Sequence, residues 1–275
     1  MRIDAHQHFW EYQPVKHAWI NDEMSLIRKN FLPEDLFPIL KKHKIDGSIV
    51  VQADESIEET MFLLSLSEKF DFIKGVVGWA DLKSPSSIDQ IHASQRYKKL
   101  LGYRCIMQGQ ADEAYLTNQI FIKNVASLSE LGFTYDLLIY HHQLPSLIKF
   151  VSQLPDNRMI LNHIGKPDIK TKKFKDWKEN IRLLANHPKI YCKLSGMITE
   201  ADFKKWSYEE MVPYLDTVGE YFGVDRLCYG SDWPVCLVAG NYEKMISVIE
   251  RWSSQLSVEA QNKIFGMNTC RFYNL

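Results

Sequence analysis

The sequence predicts a (β/α)8 barrel, and three observations lead there. Eight short apolar runs of strand length recur at a steady interval along the 275 residues. Helical patterns fill the gaps, each long enough to carry the chain over and return it parallel to the strand before, which implies a parallel sheet. Polar residues follow the C-terminal ends of many runs instead of gathering at one crevice, and barrel sites are built at that end of the sheet. An open doubly wound sheet has the same alternation, but no Gly-x-Gly-x-x-Gly follows the first run. The expectation is one domain over residues 1–275.

The predicted strands lie at residues 2–4, 47–51, 73–79, 102–106, 133–139, 158–163, 190–194 and 226–229. Helix starts between them carry local chemistry. Ser56 to Glu59 and Ser207 to Glu210 each fit a capping box, in which the hydroxyl and the carboxylate satisfy orphan amides. Ser84-Pro85 places a capping hydroxyl before a proline at a first helical position. Ile57, Met61, Leu64 and Ser65 recur near the 3.6-residue period and give the second helix a stripe to lay on the sheet. Residues 9–32, with Trp10, Tyr12, His17 and Trp19, form the one long irregular connection, a lid or binding loop by its length.

Composition narrows the function classes. Hydrophobic residues make up 45% and charged residues 24%, the balance of a globular chain with a sizeable core. The 33 Lys plus Arg nearly cancel the 34 Asp plus Glu, so no net field favours nucleic acid or an anionic membrane. A small-molecule partner is expected. Five scattered cysteines without Cys-x-x-Cys argue against a disulfide framework and for a reducing compartment. With no apolar leader and no bilayer-length stretch, the chain reads as cytoplasmic. Self-association into a homo-oligomer is left open.

The candidate chemistry starts at Asp4-Ala5-His6-Gln7-His8-Phe9-Trp10. Residues i and i+2 of a strand share a face, so His6 and His8 project together while Ala5 and Gln7 face away. Other strand ends add Gln52, Glu55, Trp79, Asp81, Arg104, Gln108, Asp136, His163, Lys193, Ser195 and Asp232. His6, His8, His163 and Asp232 have two uses. Three neutral imidazoles and a carboxylate can hold one divalent metal, zinc foremost, with an open position for water. Without a metal, the histidines and Arg104 can donate to a carbonyl oxygen as it gains charge while Asp232 activates water. Both uses lead to hydrolysis. Arg104 is otherwise an ion-pair partner of a nearby Asp, and Lys193 either orients a hydroxyl or pairs with Asp136. Trp10, Trp79 and Trp233 offer flat faces for a sugar ring, though tryptophans commonly serve as core. His141 and His142 open the helix after strand five, and the lysines from Lys170 to Lys178 make a solvated face.

Taken in order, Asp4 to Trp10, Val51-Gln52-Ala53, Gly78-Trp79-Ala80-Asp81-Leu82, Gly102-Tyr103-Arg104, Asn162-His163-Ile164-Gly165-Lys166-Pro167, Lys193-Leu194-Ser195-Gly196 and Gly230-Ser231-Asp232-Trp233-Pro234-Val235-Cys236 resemble the amidohydrolase-related sugar-lactone hydrolases. The resemblance runs to the Asn268–Tyr273 tail and so covers essentially the whole chain. It implies an amidohydrolase-type barrel that hydrolyses an aldonolactone to its sugar acid. It also implies that His6, His8, His163 and Asp232 stand at the family's metal or catalytic positions. Binuclear members carry a lysine on strand four and a histidine on strand five, where this chain has Arg104 and Asp136. One metal at most is then expected, and related lactonases appear that need none. Asn162 stands where the family commonly has Asp, a change that leaves the chemistry intact if the side chain faces outward. Tyr140-His141 replace a common Arg at positions expected to contact substrate, so the identity of the lactone stays open.

The expected activity is opening of a sugar lactone such as L-fuconolactone, with Asp232 as base, His6, His8, His163 and Arg104 around the carbonyl, and Trp10, Trp79, Gln52, Lys193, Tyr140, His141 and Trp233 binding substrate. A metal-dependent decarboxylase and a sugar-acid-binding barrel without turnover are the alternatives.

Overall fold

The computed structural model describes residues 1–154 and 157–275, apart from the side chain of Glu113. Its eight strands are β1 Ile3–Gln7, β2 Gly47–Val51, β3 Ile73–Gly78, β4 Leu100–Ile106, β5 Thr134–Leu138, β6 Met159–Leu161, β7 Ile190–Leu194 and β8 Leu227–Tyr229. All pair in parallel and in chain order. Each strand is followed by a helix: α1 Pro33–Lys42, α2 Ile57–Lys69, α3 Ser87–Ser94, α4 Gln119–Glu130, α5 Leu144–Val151, α6 Lys175–Ala185, α7 Tyr208–Phe222 and α8 Tyr242–Ser253. Two further helices, α9 Val258–Asn262 and α10 Asn268–Tyr273, end the chain. The alternation is that of a (β/α)8 barrel, and both faces of its strands are covered, which is why they read as continuous apolar runs. No helix among the described residues is long and apolar enough to cross a membrane.

The ring closes beyond the end of β8. Gln7 and Trp233 form a parallel bridge. The amide of Asp232 donates to the His6 carbonyl at 2.8 Å, and that of His8 donates to the Trp233 carbonyl at 2.7 Å.

A main apolar core lies between sheet and helices, and a smaller one fills the barrel floor. The second joins Ala5, Ile49, Val77, Ile160 and Cys228, from strands on opposite sides of the ring, with Phe272 and Tyr273 of α10. Residues drawn from both sides of a ring meet only inside it, so α10 plugs the end opposite the strands' C-termini.

Strand-level detail departs from expectation in β1. Its register against β2 slips between Asp4 and Gln7. Ala5 therefore does not turn away from the axis: it joins the interior cluster, and His6 next to it also faces inward, towards Lys193 and Arg104. An extra residue on one strand re-aims the side chain that follows.

Helix starts are partly as expected. The Ser56 hydroxyl accepts from the Glu59 amide at 3.2 Å, and the Ser207 amide donates to the Glu210 carboxylate at 2.9 Å. The Glu59 carboxylate does not return to Ser56: it is drawn to the amides of Ala53 and Asp54, tying down the β2–α2 turn. Helix α3 starts at Ser87, past Ser84-Pro85, because the Ser84 hydroxyl bonds the amide and hydroxyl of Ser86 in a preceding turn.

Candidate active site at the barrel mouth

A cleft of about 350 Å3 opens at the C-terminal ends of the strands, with His8, Arg104, His163, Lys166, Glu200 and Asp232 among its walls. This volume is at the small end of small-molecule sites, about 300–1,000 Å3. It suits a single sugar-sized molecule.

His8 extends just past β1, where its Nδ1 lies 2.7 Å from the Val51 carbonyl. That carbonyl can only accept, so the Nδ1 proton is fixed and Nε2 presents its lone pair to the cleft. His6 Nε2 lies 3.2 Å from His8 Nε2. His163 sits in the tight turn after β6 with φ of 54°, and its Nδ1 lies 2.9 Å from the Ser195 hydroxyl. Asp232, also at positive φ (58°), follows β8. Two glycines make room. A Cβ on Gly196, whose φ is +62°, would lie 2.5 Å from His163 Nδ1, and one on Gly230 would lie 2.7 Å from the His6 Cβ. The sequence around both imidazoles thus demands glycine opposite them.

Asp232 Oδ1 lies 3.4 Å from His8 Nε2, 3.7 Å from His6 Nε2 and 3.8 Å from His163 Nε2. Burial pushes the Asp232 carboxyl upward, but its basic neighbours His163, His8 and Lys166 outweigh it and hold the group below its usual range. Burial drives all three imidazoles down. His163 falls to about 3, and His6, further opposed by Lys193, falls well below its ordinary value. Neutral imidazoles around an ionised carboxylate are the state that either reading of the site requires.

The donor set fits one tetrahedral metal. Ligand atoms about 2.0–2.1 Å from a tetrahedral zinc stand about 3.3–3.4 Å apart. His6, His8 and Asp232 form a compact buried trio on that scale, with His163 beyond it on the Asp232 side.

Beneath the cleft lies a buried polar girdle. The Arg104 guanidinium donates to the backbone and side-chain oxygens of Gln52 and, at 3.1 Å, to Asn162 Oδ1; its Nη1 is 3.3 Å from His6 Nε2. Arg104 is therefore not ion-paired with a neighbouring Asp, and it keeps one edge on the cleft. Asn162 is wholly buried, and its amide nitrogen donates to Asp136 at 2.9 Å. It faces inward, so the condition under which the change from Asp leaves the chemistry untouched is not met: an Asp here would set a second carboxylate against Asp136, whereas the amide bonds both neighbours.

Of the seven expected substrate contacts, Tyr140 lines the cleft. The other six lie outside its lining. Lys193 is fully buried in an ion pair of 2.5 Å with Asp136, and Gln52 is occupied by Arg104. Trp10 and Trp233 are core residues packed on Phe31, and Trp10 donates its Nε1 proton to the Lys29 carbonyl. Trp79 borders a groove between α2 and α3 with Ile57, Met61 and Tyr97. His141 is turned towards the Lys166 carbonyl, its Nδ1 at 3.0 Å, at the start of a short helical turn, as expected of a residue opening the next helix.

The loop after β1 does border the site. Trp10 and Phe31 bridge as an antiparallel pair at its base, and Trp19, Asn21 and Met24 reach the cleft. His17 does not; it is buried against the rings of Tyr12 and Trp10. Two residues not singled out from sequence are prominent. Lys166 Nζ pairs with Glu200 Oε1 at 3.0 Å in the cleft wall. Burial depresses Lys166, but Glu200 and Asp232 more than reverse this, and its pKa ends up raised. The signal for Lys166 is its place in the Gly165-Lys166-Pro167 turn, three residues after His163; Glu200 has none, since the pairing joins two separate loops.

Fold and site together define a barrel enzyme with a metal-competent histidine and aspartate centre at the mouth. The chain belongs to the amidohydrolase family, whose profile matches residues 3–275. It is similar to an L-fucono-1,5-lactonase from Burkholderia multivorans, at 36% identity over all of this chain and 96% of the relative. An L-fucono-1,5-lactonase from Burkholderia ambifaria is 33% identical, with 100% and 96% covered. A crystal structure of a Burkholderia multivorans amidohydrolase with bound zinc superposes with a TM-score of 0.96 at 36% identity, covering 100% of this chain and 99% of that one.

Proposed function

We propose that this enzyme hydrolyses an aldonolactone, of the L-fucono-1,5-lactone kind, to the open sugar acid. The observation that carries the reading is Asp232, ionised and ringed by three neutral imidazoles at the floor of a sugar-sized cleft. Similarity to two L-fucono-1,5-lactonases over the full chain supports it.

Asp232 takes a proton from water as the water oxygen bonds to the lactone carbonyl carbon. The Arg104 edge facing the cleft donates to the carbonyl oxygen as it becomes an oxyanion. When the tetrahedral centre collapses, the bond from carbon to ring oxygen breaks, and the proton held by Asp232 passes to the departing oxygen to give the hydroxy acid. Lys166 and Glu200 offer a donor and an acceptor side by side, a match for neighbouring hydroxyls on the ring. His6, His8, His163 and Asp232 would hold a divalent metal, which when bound polarises oxygen and lowers the pKa of water.

A pH-indicator screen of aldonolactones, run with and without chelator, tests the reading. Acid release from at least one six-carbon lactone is expected; no release from any of them, with zinc supplied, overturns it.

A further inference from the structure

We propose that Tyr273, in α10 at the far end of the barrel from the cleft, is a positioning residue for His6. Its hydroxyl donates to Asp136 Oδ1 at 3.1 Å. The other oxygen of that carboxylate accepts from Lys193 Nζ at 2.5 Å, and Nζ in turn lies 3.2 Å from His6 Nδ1. Three contacts join the barrel floor to the site. Lys193 Nζ also lies 5.7 Å from the centroid of the Tyr273 ring, so one side chain fixes the lysine both through Asp136 and by its ring face. Asp136, Lys193 and His6 are wholly buried and Tyr273 is 3% exposed, so water does not take over any of these contacts from the bulk.

Packing does not call for a hydroxyl here. Tyr273 lies among Ile3, Ala5, Val51 and Phe272, where a phenyl ring fills the same space. What the hydroxyl adds is a donor to a carboxylate oxygen for which no other donor is seen among the described residues; without it, Asp136 keeps Lys193 and Asn162 there, both on its other oxygen. A buried carboxylate oxygen left without a donor turns to find one. Lys193 turns with it.

The consequence reaches the site because Lys193 Nζ, set against Nδ1, holds the His6 imidazole in its plane and so sets where its Nε2 points. Arg104 Nη1 stands 3.3 Å from Nε2 on the other side, so His6 is clamped between two basic side chains and any shift of Lys193 moves the ring. The relay also gives Lys193 and Asp136, both wholly buried, a role in the barrel interior.

The test uses the full chain, selectively labelled with 15N-histidine, and the aldonolactone that the screen finds turned over; only the kinetic part rests on the lactonase reading. In Tyr273→Phe, kcat is expected to fall about tenfold with KM within about twofold, and the His6 imidazole nitrogen resonances of the chelator-treated protein are expected to shift. Phe272→Leu, its neighbour in the floor, is expected to lower Tm while leaving both kcat and those resonances in place. The double variant Asp136→Asn/Tyr273→Phe is expected to be no slower than Asp136→Asn. Unmoved His6 resonances, a rise in KM alone, rate losses that multiply in the double variant, or a Tyr273→Phe chain that fails to fold would each overturn the proposal. If the parent turns over no lactone, the lactonase reading fails while the His6 resonances still decide the relay.

Discussion

Asp232 and His8 meet across the seam of the barrel, Oδ1 to Nε2 at 3.4 Å, although 224 positions separate them in sequence. The tautomer of His8, fixed by the Val51 carbonyl, turns a lone pair and not a proton towards that carboxylate. His8 Nε2 and Asp232 Oδ1 thus both turn lone pairs to the same point, an arrangement that one cation satisfies.

Asp232→Asn is expected to lower kcat by roughly two to four orders of magnitude, the range for loss of a general base. KM should change little, because the amide keeps the shape of the cleft floor. Initial rates from a pH indicator measure this, and a variant running at the parent rate removes Asp232 from the mechanism.

Zinc added to chelator-treated protein is expected to raise Tm by about 5 °C at a hundredfold excess over Kd, and calorimetry should give one ion per chain. His8→Ala is expected to weaken binding by about 100-fold, since it removes one donor of the compact trio. Two ions per chain, or unaltered affinity in the variant, contradicts the ligand set.

Gly196→Ala is expected to cost about 1–2 kcal/mol of stability and to slow turnover about tenfold. The added methyl meets the His163 ring, and φ at +62° disfavours any side chain. Chemical denaturation and kcat are the measurements; Gly223→Ala, at φ +68° with nothing near its Cβ, separates strain from the clash.

Lys166→Met is expected to raise KM about tenfold and to lower kcat less. It removes the donor beside Glu200 while leaving Asp232 and its imidazoles in place. Comparing a lactone with its deoxy analogues shows which hydroxyl loses its partner; equal KM values for parent and variant exclude Lys166 from binding.

Glu59 gives a pH dependence of stability with a defined sign. Burial raises its carboxyl from 4.5 to about 7, despite hydrogen bonds from Asp54 and Ala53. A carboxyl raised in the folded state binds its proton more tightly there than in the unfolded chain. Its stabilisation is complete below pH 4.5 and is lost as pH rises through about 7, a change on the order of 3 kcal/mol. The Tm of Glu59→Gln relative to the parent is therefore expected to improve between pH 5 and pH 8. A constant difference across that range shows that Glu59 is not raised.

The barrel was legible because parallel strands covered on both faces leave uninterrupted apolar runs, and all eight strands fall within a few residues of those runs. The convergence of His6, His8, His163, Arg104 and Asp232 was legible too, since strand ends in this architecture share one mouth. Side-chain direction was less so. The β1 slip that turns Ala5 and His6 inward together breaks the two-residue period, and nothing in Asp4-Ala5-His6-Gln7 announces it. The cleft walls were the least readable, because Lys166 and Glu200 come from separate loops whose meeting depends on the finished fold. Trp10, Trp79 and Trp233 show the converse: residues suited to stacking on a sugar are equally suited to a core, and the sequence pattern alone does not separate the two.

The amides of Asp232 and His8 are themselves the hydrogen-bond donors that join the last strand to the first. Barrel closure and assembly of the reactive centre are consequently a single event, not two layers of organisation. Any excursion that parts β1 from β8 separates Asp232 from two of its three imidazoles before a helix need unravel. Activity is then a more sensitive gauge of ring integrity than helical content, and under mild denaturant or heat turnover should fail while circular dichroism still reports a folded chain. A ligand that bridges the two edges works as a rivet across the joint, slowing hydrogen exchange first at the amides of His8 and Asp232.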